Sequence, residues 1–315
     1  MSESSTINFR CPLCHGSLKE SPGDAVVKRQ RFECALGHTY SGHDGIIDFL
    51  PHELLENSPE KRLESESHDV NVLDVFADFT VTDKNLYSWL NYYQLFEVAS
   101  CIQQMQPRSI LVGMCGSGFE FDVLQQFTTE IWGVDISMGV LGNAKRRADS
   151  LGLLGGIIRG DIENLPFADS SFDLVIVHHG LHHMPLLDGA LRDLLRVSRK
   201  HVLISEPVDG WPRRLARFTR ASPGMEPGGT VVRDIDSRKV AEIATKMNAV
   251  LEWEKRYFYP RVRSPQPGTF IRFANRMGLS LWLRWPLRAF NSIFGRFLGL
   301  KATFLLAKKP HHLVK

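Results

Sequence analysis

Residues 160–184 have the sequence GDIENLPFADSSFDLVIVHHGLHHM, and this stretch decides the fold class. Its second half contains Phe172-Asp-Leu-Val-Ile-Val-His178, an apolar run that is typical of a strand buried on both faces. Strands of this kind belong to parallel sheets that are covered by helices on both sides. We therefore predict a central parallel strand at Phe172–His178, with the histidine-rich turn at its carboxyl end.

Strand-like and helix-like segments alternate on both sides of this run. Short apolar runs predict further strands at Ser109–Gly113, Ile131–Asp135, Gly156–Arg159 and His201–Glu206. Apolar residues at helical spacing predict helices at Asn85–Gln104, Glu120–Phe127, Val140–Ser150 and Leu186–Arg196. The alternation predicts an α/β fold with a doubly wound parallel sheet.

The turn after the first of these strands, Gly113-Met-Cys-Gly-Ser-Gly118, is rich in glycine. Gly116 and Gly118 allow a tight turn and a close approach of the backbone to a ligand. The next strand ends in Asp135, at the spacing from the glycines where an acidic residue binds ribose hydroxyls. The alternatives for Asp135 are a helix N-cap or a solvated side chain. Because ligands bind at the carboxyl ends of parallel strands, these residues predict a nucleoside site.

The stretch at residues 160–184 resembles the segment GD-x-x-x-LPF-x-D-x-SFD-x-V of class I methyltransferases, and the likeness extends over residues 105–208. It implies a Rossmann-like fold and S-adenosylmethionine as the cofactor. It also implies that Asp161 binds the adenine amino group, while Ile162 and Ile136 flank the adenine ring. The full set of implied cofactor residues is Gly113, Cys115, Gly116, Gly118, Asp135, Ile136, Asp161, Ile162 and His178.

The glycine turn departs from the family's usual sequence, D-V-G-C-G-T-G. Val112 stands in place of the Asp, and Met114 stands in place of the first Gly. The first change removes a polar group near the methionine part of the cofactor, and Met114 crowds the approach of the backbone. Glu120 and Asp122 are the two carboxylates that would replace the lost one. The departure keeps open the hypothesis of a non-catalytic scaffold with a methyltransferase fold.

The acceptor side of the predicted site is rich in histidine. Methyl transfer from a sulfonium is a direct displacement, so a general base is needed only when the acceptor loses a proton. The predicted catalytic residues are His178, His182 and Glu206. The resemblance implies that His178 lies near the transferred methyl group. The alternatives are a structural role for His182, and a helix cap or a surface charge for Glu206.

The histidine-rich turn is not predicted to bind a metal. Adjacent histidines on a turn give poorly convergent geometry. No carboxylate lies at helical ligand spacing beside them.

The N-terminal segment contains a metal-ligand pattern. Cys11 and Cys14 form a C-x2-C pair, and Cys34 and His38 form a C-x3-H pair. The residue types and the separation of the two pairs predict a tetrahedral structural zinc site. A segment this small buries little apolar surface, so a metal would stabilise its fold.

Other readings of this segment stay open. His15 and His43 are further candidates for the fourth ligand, and two unrelated cysteine pairs are the alternative to a metal site. Residues 34–50 are similar to the zinc ribbon that precedes the methyltransferase domain in ribosomal RNA guanine methyltransferases. Related ribbons precede enzymes that act on small molecules, so the similarity supports zinc more than it supports RNA as the substrate.

Composition divides the chain into three parts. Residues 1–52 are predicted to form the zinc-ribbon module, the polar residues 53–84 a linker, and residues 85–315 the methyltransferase domain. Two stretches near the C-terminus, 247–259 and 301–308, are predicted to be antiparallel strands that close the sheet.

A helical insertion is predicted between those two strands, at residues 260–299. Apolar residues at helical spacing predict two helices, Thr269–Trp285 and Pro286–Leu298. Pro286 would stand at the start of the second helix, where its missing N–H costs nothing.

The C-terminal region is strongly basic. After Glu254 the chain has 13 Lys and Arg residues and no Asp or Glu, although the net charge of the whole chain is only +3. This asymmetry indicates an anionic partner. Arginines together with Trp282 and Trp285 suit either an anionic membrane surface or RNA. The alternative is a lid over the acceptor pocket or a dimer face.

The N-terminus and the apolar runs indicate the compartment of the protein. The polar N-terminus has no apolar segment of a secretory signal, and every apolar run is broken by charge or Pro. We therefore expect a cytoplasmic protein that also contacts the membrane peripherally. The leading hypothesis is methyl transfer from S-adenosylmethionine to a small-molecule acceptor or one linked to a lipid or glycan. RNA base methylation and the scaffold are the alternatives.

Overall fold

The structure, a computed structural model, describes residues 7–21, 30–71, 80–218, 231–258, 273 and 275–309 of the chain. Eleven strands of these residues form one sheet. The strands are β1 (Leu18–Ser21), β2 (Arg31–Cys34), β3 (Thr39–His43), β4 (Ile46–Asp48), β5 (Ile110–Gly113), β6 (Ile131–Asp135), β7 (Ile157–Arg159), β8 (Phe172–His178), β9 (Ser198–Pro207), β10 (Ala249–Tyr257) and β11 (Lys301–Lys308).

Helices cover the sheet and connect its strands. Those of the described residues are α1 (His52–Asn57), α2 (Pro59–Asn71), α3 (Leu86–Asn91), α4 (Tyr93–Met105), α5 (Phe121–Leu124), α6 (Met138–Ser150), α7 (Asp188–Val197), α8 (Trp211–Phe218), α9 (Ser237–Lys246) and α10 (Leu279–Leu298). A short 3-10 turn is formed by Leu181–His183.

The strand order is β1-β2-β3-β4-β7-β6-β5-β8-β9-β11-β10. The strands from β4 to β9 are parallel, and antiparallel strands extend the sheet at both edges. The chain passes from β5 to β7 in one direction and then from β8 to β9 in the other. Such a reversal of strand order is where α/β sheets bind ligands. The predicted Rossmann-like, doubly wound α/β fold is confirmed.

Strand β8 explains why the apolar run at residues 172–178 was informative. Its side chains alternate between two hydrophobic clusters, because successive residues of a strand point to opposite faces. Val175 and Val177 belong to the cluster on one face, and Leu174 and Ile176 belong to the cluster on the other. A strand with apolar neighbours on both faces favours apolar residues along its centre, which here is residues 174–177.

The N-terminal strands are part of the main sheet. Strand β4 pairs in parallel with β7, with Ile46 opposite Ile157, and the N–H of Phe49 donates to Arg159 O at 2.9 Å. The ring centroids of Phe9 and Phe167 lie 5.9 Å apart. The predicted zinc-ribbon segment therefore extends the sheet of the larger domain and shares its core.

Helices α1 and α2 occupy residues 52–71, where the sequence predicted a linker. Helix α2 starts at Pro59, a residue that suits the first position of a helix, and it packs against α6. Most of its described residues lie at least partly exposed, which is why the segment has the composition of a linker. Composition alone does not separate a polar surface helix from a linker.

The helix predicted at Asn85–Gln104 is two helices in the structure. The Asn85 side chain caps α3 by accepting a hydrogen bond from the N–H of Tyr87 at 2.9 Å. The break falls at Tyr92, whose φ of −110° and ψ of 18° are not helical. The break places the Tyr92 ring beside the histidine-rich turn.

The C-terminal strands form as predicted, but the insertion between them differs. The expectation of two helices with Pro286 at a helix start is wrong, because α10 is a single helix of 20 residues with Pro286 inside it. Part of the first predicted helix, from Thr269, lies outside the described residues. Leu287 and Asn291 hold α10 against its neighbours after the proline, which keeps the two halves in line.

No helix among the described residues has the length and apolar character needed to cross a membrane.

Candidate active site

The glycine turn follows β5, beside the reversal of strand order. The Cys115 N–H donates to Val134 O at 3.0 Å, and the Gly118 N–H donates to Cys115 O at 2.8 Å. Gly116 and Gly118 have φ values of +49° and +72°, a left-handed conformation that suits glycine. A Cβ at Gly118 would lie 2.6 Å from the Phe121 ring, whereas one at Gly116 would meet nothing within 4 Å. The turn is therefore open to a ligand at Gly116.

Met114 occupies a strained position in this turn. Its φ is +53°, and the left-handed conformation costs a residue with a side chain about 1–2 kcal/mol. The Met114 side chain lies over Gly180, where an added Cβ would be 2.7 Å from the Met114 sulfur. The turn accommodates Met114 because residue 180 is glycine. The side chain therefore lies between the glycine turn and the histidine-rich turn.

Asp135 lies at the carboxyl end of β6 and contacts the glycine turn directly. One carboxylate oxygen accepts from the Gly116 N–H at 2.9 Å, and the other accepts from the Ser137 N–H at 3.0 Å. The carboxylate therefore links the turn to the start of α6. Its role as a ribose ligand stays a prediction. The helix N-cap alternative is wrong, because the residue at that position of α6 is Ser137.

Asp161 is buried and lies beside a residue that the sequence reasoning missed. Lys61 Nζ lies 2.7 Å from one Asp161 oxygen and 2.6 Å from a Glu163 oxygen. Burial works against the Lys61 ammonium, but the two carboxylates outweigh it and raise the pKa of Lys61. No local signal marked Lys61, because it lies in the segment that was predicted to be a linker.

Helix α2 makes further contacts at the predicted adenine site. The Ser65 hydroxyl donates to Ile136 O at 3.4 Å, and a Glu64 oxygen lies 3.7 Å from His183 Nδ1. On the opposite side, an added Cβ at Gly113 would lie 2.8 Å from Ile162 Cδ1. The residues assigned to adenine by resemblance are thus brought together, with α2 over them.

Asp122, one of the two carboxylates considered as a replacement for the missing Asp, is occupied by structural contacts. It accepts from Arg147 Nη1 at 2.6 Å and from the Val81 N–H at 2.7 Å. Burial raises the pKa of Asp122 despite the hydrogen bonds from Val81 and Arg147. These contacts hold α5 to α6. Glu120 is the carboxylate that faces the site.

His178 lies at the end of β8, and its ring is held by Glu120. His178 Nδ1 lies 3.1 Å from a Glu120 oxygen, and both side chains are buried. The Tyr92 ring stacks on His178 with centroids 5.3 Å apart and an interplanar angle of 27°. His178 Nε2 is buried and has no hydrogen-bond partner within the described part of the chain. An ionised Glu120 favours the proton on Nδ1, which leaves Nε2 as an acceptor.

Glu206 forms a second carboxylate–histidine pair. It is fully buried, and one oxygen accepts from the N–H groups of Gly180 and Leu181 at 2.8 and 2.6 Å. Its other oxygen lies 2.7 Å from His182 Nδ1. The alternative of a surface charge is therefore wrong. The helix-cap alternative has support, since Glu206 binds the start of the 3-10 turn.

Lys301 joins this cluster from the first position of β11. Its Nζ lies 2.7 Å from His179 Nε2. Burial lowers the pKa of Lys301 to about 7, although the nearby Glu206 charge opposes the shift. Lys301 lies opposite Pro207 in the sheet, which is why no local sequence signal identified it. Only the pairing of β11 with β9 brings Lys301 to the histidine-rich turn.

The expectation of poorly convergent histidines is wrong. His179, His182 and Glu206 each offer a ligand atom, and these atoms lie within 4.8 Å of one another. The carboxylate comes from β9 and not from helical spacing, which is why the sequence did not reveal it. The Lys301 Nζ atom lies beside this group, 2.7 Å from His179 Nε2.

The four predicted metal ligands lie together at the N-terminal hairpins. His38 Nδ1 lies 3.4 Å from Cys11 Sγ and 3.3 Å from Cys34 Sγ, and the sulfurs of Cys14 and Cys34 are 3.7 Å apart. Burial opposes ionisation, but backbone N–H groups, the largest effect being that of His38, lower the pKa of Cys34 to about 7. All four ligand atoms lie within 4.8 Å of one another.

The two other candidates for the fourth ligand lie apart from this group. His43 pairs with Asp44 on the surface, with 2.7 Å between His43 Nδ1 and a carboxylate oxygen. Within the described residues, the convergent group at the hairpins contains His38 and neither His43 nor His15.

Part of the chain is similar to known methyltransferases. Residues 112–204 match the family model described as "Methyltransferase domain". The ubiquinone/menaquinone biosynthesis C-methyltransferase UbiE of Laribacter hongkongensis is 40% identical over 127 residues, which cover 38% of this chain and 51% of the relative. The demethylmenaquinone methyltransferase of Beutenbergia cavernae is 27% identical over 143 residues, which cover 45% and 58%.

A solved structure with a similar fold is the magnesium protoporphyrin IX methyltransferase ChlM from Synechocystis PCC 6803 with bound SAH. It is 13% identical, with a TM-score of 0.49, and the match covers 81% of this chain and 97% of that one.

The chain spans about half the length of the curated relatives that it matches, so the likeness concerns the domain and not the whole proteins. The matched residues include the glycine turn, Asp135, Asp161 and β8. The described residues therefore have a Rossmann-like α/β fold, and residues 112–204 within it are similar to a methyltransferase domain.

Proposed function

We propose that this chain transfers the methyl group of S-adenosylmethionine to a small-molecule acceptor. The observation that carries the proposal is the meeting of three features at the reversal of strand order: an open glycine turn, Asp135, and two buried carboxylate–histidine pairs. The relatives named as C-methyltransferases of ubiquinone and menaquinone biosynthesis support a small-molecule acceptor.

The residues present fit the cofactor that the family match implies. The open approach at Gly116 admits a ligand close to the backbone, and Asp135 offers a carboxylate to ribose hydroxyls. Asp161 offers a buried carboxylate to the adenine amino group, between Ile162 and the Ile136 backbone. When bound, the sulfonium supplies an electrophilic methyl group. Lys61 already pairs with Asp161, so binding must share or displace that pair.

We propose His178 as the general base. Glu120 fixes the ring through Nδ1, and Tyr92 stacks on its face, so the ring cannot turn freely. The buried Nε2 atom is then the acceptor for a proton that leaves the substrate. Glu120 acts as a positioning residue for His178. This arrangement suits an acceptor that becomes nucleophilic only after it loses a proton, such as a phenol or an enol.

Glu206, His182 and Lys301 form the other wall of the proposed acceptor site. Glu206 fixes both the turn backbone and the His182 ring. Lys301 lies beside His179, and its pKa is lowered to about 7 by burial. An anionic oxygen on the acceptor would favour the protonated lysine and pair with it. We propose that Glu206, His182 and Lys301 orient the acceptor while His178 removes its proton. We also propose that the acceptor is linked to a lipid.

We propose that Cys11, Cys14, Cys34 and His38 bind a structural zinc ion. In a tetrahedral zinc site, ligand atoms lie about 3.5–3.8 Å apart, because the bonds are about 2.0–2.3 Å long. The S–N and S–S distances of 3.3–3.7 Å in this cluster fit that geometry. The residues present therefore suit zinc, whose role would be to hold the two hairpin loops together.

The second candidate function, a scaffold without catalysis, is favoured by two observations. Met114 is strained inside the glycine turn, and Lys61 already neutralises the carboxylate assigned to adenine. Both features weaken binding of a nucleoside. If they prevail, the fold is retained for interaction with a partner.

Calorimetric titration with S-adenosylmethionine tests the proposed function against the scaffold. We expect micromolar binding by the full chain and its loss in Asp135→Ala. The matched control is Asp149→Ala, an exposed Asp that pairs with Lys145 on the surface of α6. Absence of binding by the unaltered chain, or equal loss in both variants, contradicts the proposed function and favours the scaffold.

A further inference from the structure

Helix α10 presents an apolar face to solvent. Four large side chains, Trp282, Trp285, Ile293 and Phe297, are 77%, 78%, 63% and 66% exposed. Pro286 and Ala289 are exposed on the same side, because the helical period of 3.6 residues places all six positions on one face of the helix. We call these six residues the outer face of α10. Contiguous exposed apolar patches of this kind mark interaction surfaces.

The rest of α10 is fixed to the protein, so the outer face cannot turn inward. Asn291 accepts from the Phe258 N–H at 2.6 Å and donates to Phe258 O at 3.1 Å. A Cβ at Gly295 would lie 2.5 Å from Arg256 O, so the helix lies directly on the β10 backbone there. The described residues of this chain therefore leave the outer face largely uncovered, while the alternatives of a lid and a dimer face stay predictions.

Helix α8 carries a second exposed apolar stripe. Trp211, Leu215 and Phe218 are 59%, 53% and 87% exposed and lie at helical spacing. The chain segments that adjoin the two helices meet at one corner of the sheet, where the Val208 N–H donates to Leu300 O at 3.2 Å. Val208 lies just before α8, and Leu300 lies just after α10.

The positive charge around α10 favours an anionic partner. Arg276 and Arg296 are exposed, and neither has an ion-pair partner among the described residues. No acidic residue follows Glu254 in the sequence, so nothing on α10 itself repels an anionic surface. Arg296 lies on the same side of α10 as the outer face, three residues after Ile293. An apolar stripe that combines tryptophans with arginine is the composition of a helix that lies in the headgroup region of an anionic bilayer.

RNA fits this face less well. Single-stranded RNA is bound by aromatic rings interleaved with arginines that contact phosphates. The outer face instead combines Ile293, Pro286 and Ala289 with the aromatic residues, and these aliphatic side chains have no base to stack on. Their burial in acyl chains is favourable because apolar area leaves water.

We propose that the outer face of α10 and the exposed stripe of α8 dock on an anionic phospholipid bilayer, with both helices lying in the interface. Helix α8 follows β9, which carries Glu206, and α10 precedes β11, which begins with Lys301. Docking therefore holds the proposed acceptor wall next to the bilayer. This part deepens the proposed function and rests on it, because it makes the acceptor a lipid-borne molecule. The docking itself does not depend on methyl transfer.

The test is sedimentation of the full, zinc-loaded chain with vesicles of phosphatidylcholine alone and of equal parts phosphatidylcholine and phosphatidylglycerol. We expect binding to the anionic vesicles, a blue shift of tryptophan fluorescence, and weaker binding at high salt. The double variant Trp282→Ser, Trp285→Ser should bind about tenfold or more weakly, because two large apolar side chains no longer leave water. Leu154→Ser, which removes an exposed Leu (72%) from a loop before β7, is the matched control.

Four outcomes overturn the docking. They are no sedimentation with anionic vesicles, equal losses in the tryptophan and Leu154 variants, a stable dimer that the tryptophan changes dissociate, and RNA binding that the same changes abolish. Titration with S-adenosylmethionine separates this result from the proposed function. If the chain binds S-adenosylmethionine but does not sediment with anionic vesicles, the docking alone is contradicted. If it sediments with the vesicles but does not bind S-adenosylmethionine, the methyltransferase proposal alone is contradicted.

Discussion

Lys61 on α2 and Asp161 after β7 form an ion pair, with 2.7 Å between the Lys61 Nζ atom and a carboxylate oxygen. The pair joins residues 100 positions apart in the chain. It occupies the carboxylate that the family resemblance assigns to the adenine amino group. We therefore expect the state of this pair to decide how readily a nucleoside binds there.

Replacing Lys61 with methionine should separate stability from cofactor affinity. We expect the free protein to lose about 3 kcal/mol of unfolding free energy, because Asp161 and Glu163 are left without their cation. Affinity for S-adenosylmethionine should rise about tenfold, or about 1.4 kcal/mol, since the adenine amino group meets an unpaired carboxylate. Urea unfolding and calorimetry measure the two effects. Arg62→Met, on the same helix, alters only an exposed pair with Glu66 and is the control.

Met114→Gly should relieve the strain in the glycine turn. The left-handed φ of +53° costs a non-glycine residue about 1–2 kcal/mol, while the loss of the Met114 side chain removes packing over Gly180. The two effects nearly cancel in stability, but the opened turn should bind S-adenosylmethionine more tightly. Gln106→Gly relieves a similar left-handed residue (φ +47°) at the end of α4, far from the turn. It should gain stability by about 1 kcal/mol with unchanged cofactor affinity. Equal affinities in all three proteins would contradict crowding by Met114.

Lys301 should make stability rise with pH. Its pKa is lowered to about 7 in the folded chain by burial, whereas the pKa of an unfolded lysine lies near the ordinary value of 10.5. Between these values the unfolded chain binds more protons, so the unfolding free energy increases with pH in this window by at most about 1.4 kcal/mol per unit. Lys301→Met should be more stable than the unaltered chain at pH 7, with the advantage shrinking by pH 9. Lys246→Met, at an exposed position, should leave the slope unchanged. A Lys301 variant with the same slope as the unaltered chain rules out the shift.

Removal of the proposed zinc ion should lower the stability of the protein. We expect elemental analysis to find one zinc ion per chain, and none in Cys34→Ser. That variant should unfold at a lower temperature, because the two loops lose the ion that would hold them together. Cys101→Ser, at a half-buried cysteine outside the cluster, should keep the metal. Retention of zinc by the Cys34 variant would remove Cys34 from the ligand set.

The parallel strands were predictable from sequence because hydrophobic clusters cover both faces of the sheet and bury their side chains. Strand β8 is the clearest example, since its alternate residues belong to different hydrophobic clusters. The surface helix α2 was not predictable in the same way, because most of its side chains contact water and the segment has the composition of a linker. Local pattern reports burial, and it reports little about polar surface elements.

The residues of the candidate site divide along the same line. Asp135, Asp161 and His178 follow directly from strands and so could be named in advance. Lys61 and Lys301 reach the site through long-range contacts, one by helix packing and one by the pairing of β11 with β9. Neither contact has a local signature. The same holds for α10, where packing on both sides of Pro286 overrides the proline's tendency to start a helix.

The parallel pairing of β4 with β7 would give the proposed zinc ion and cofactor a common scaffold. Strand β7 leads directly to Asp161, and Asp48 at the end of β4 pairs with Arg159 at 3.2 Å. We expect an ion that rigidifies the hairpins to steady the loop that the family resemblance assigns to adenine as well. By thermodynamic reciprocity, each ligand should then raise the affinity of the other. A cell that is short of zinc would thereby also lower the cofactor occupancy of this protein.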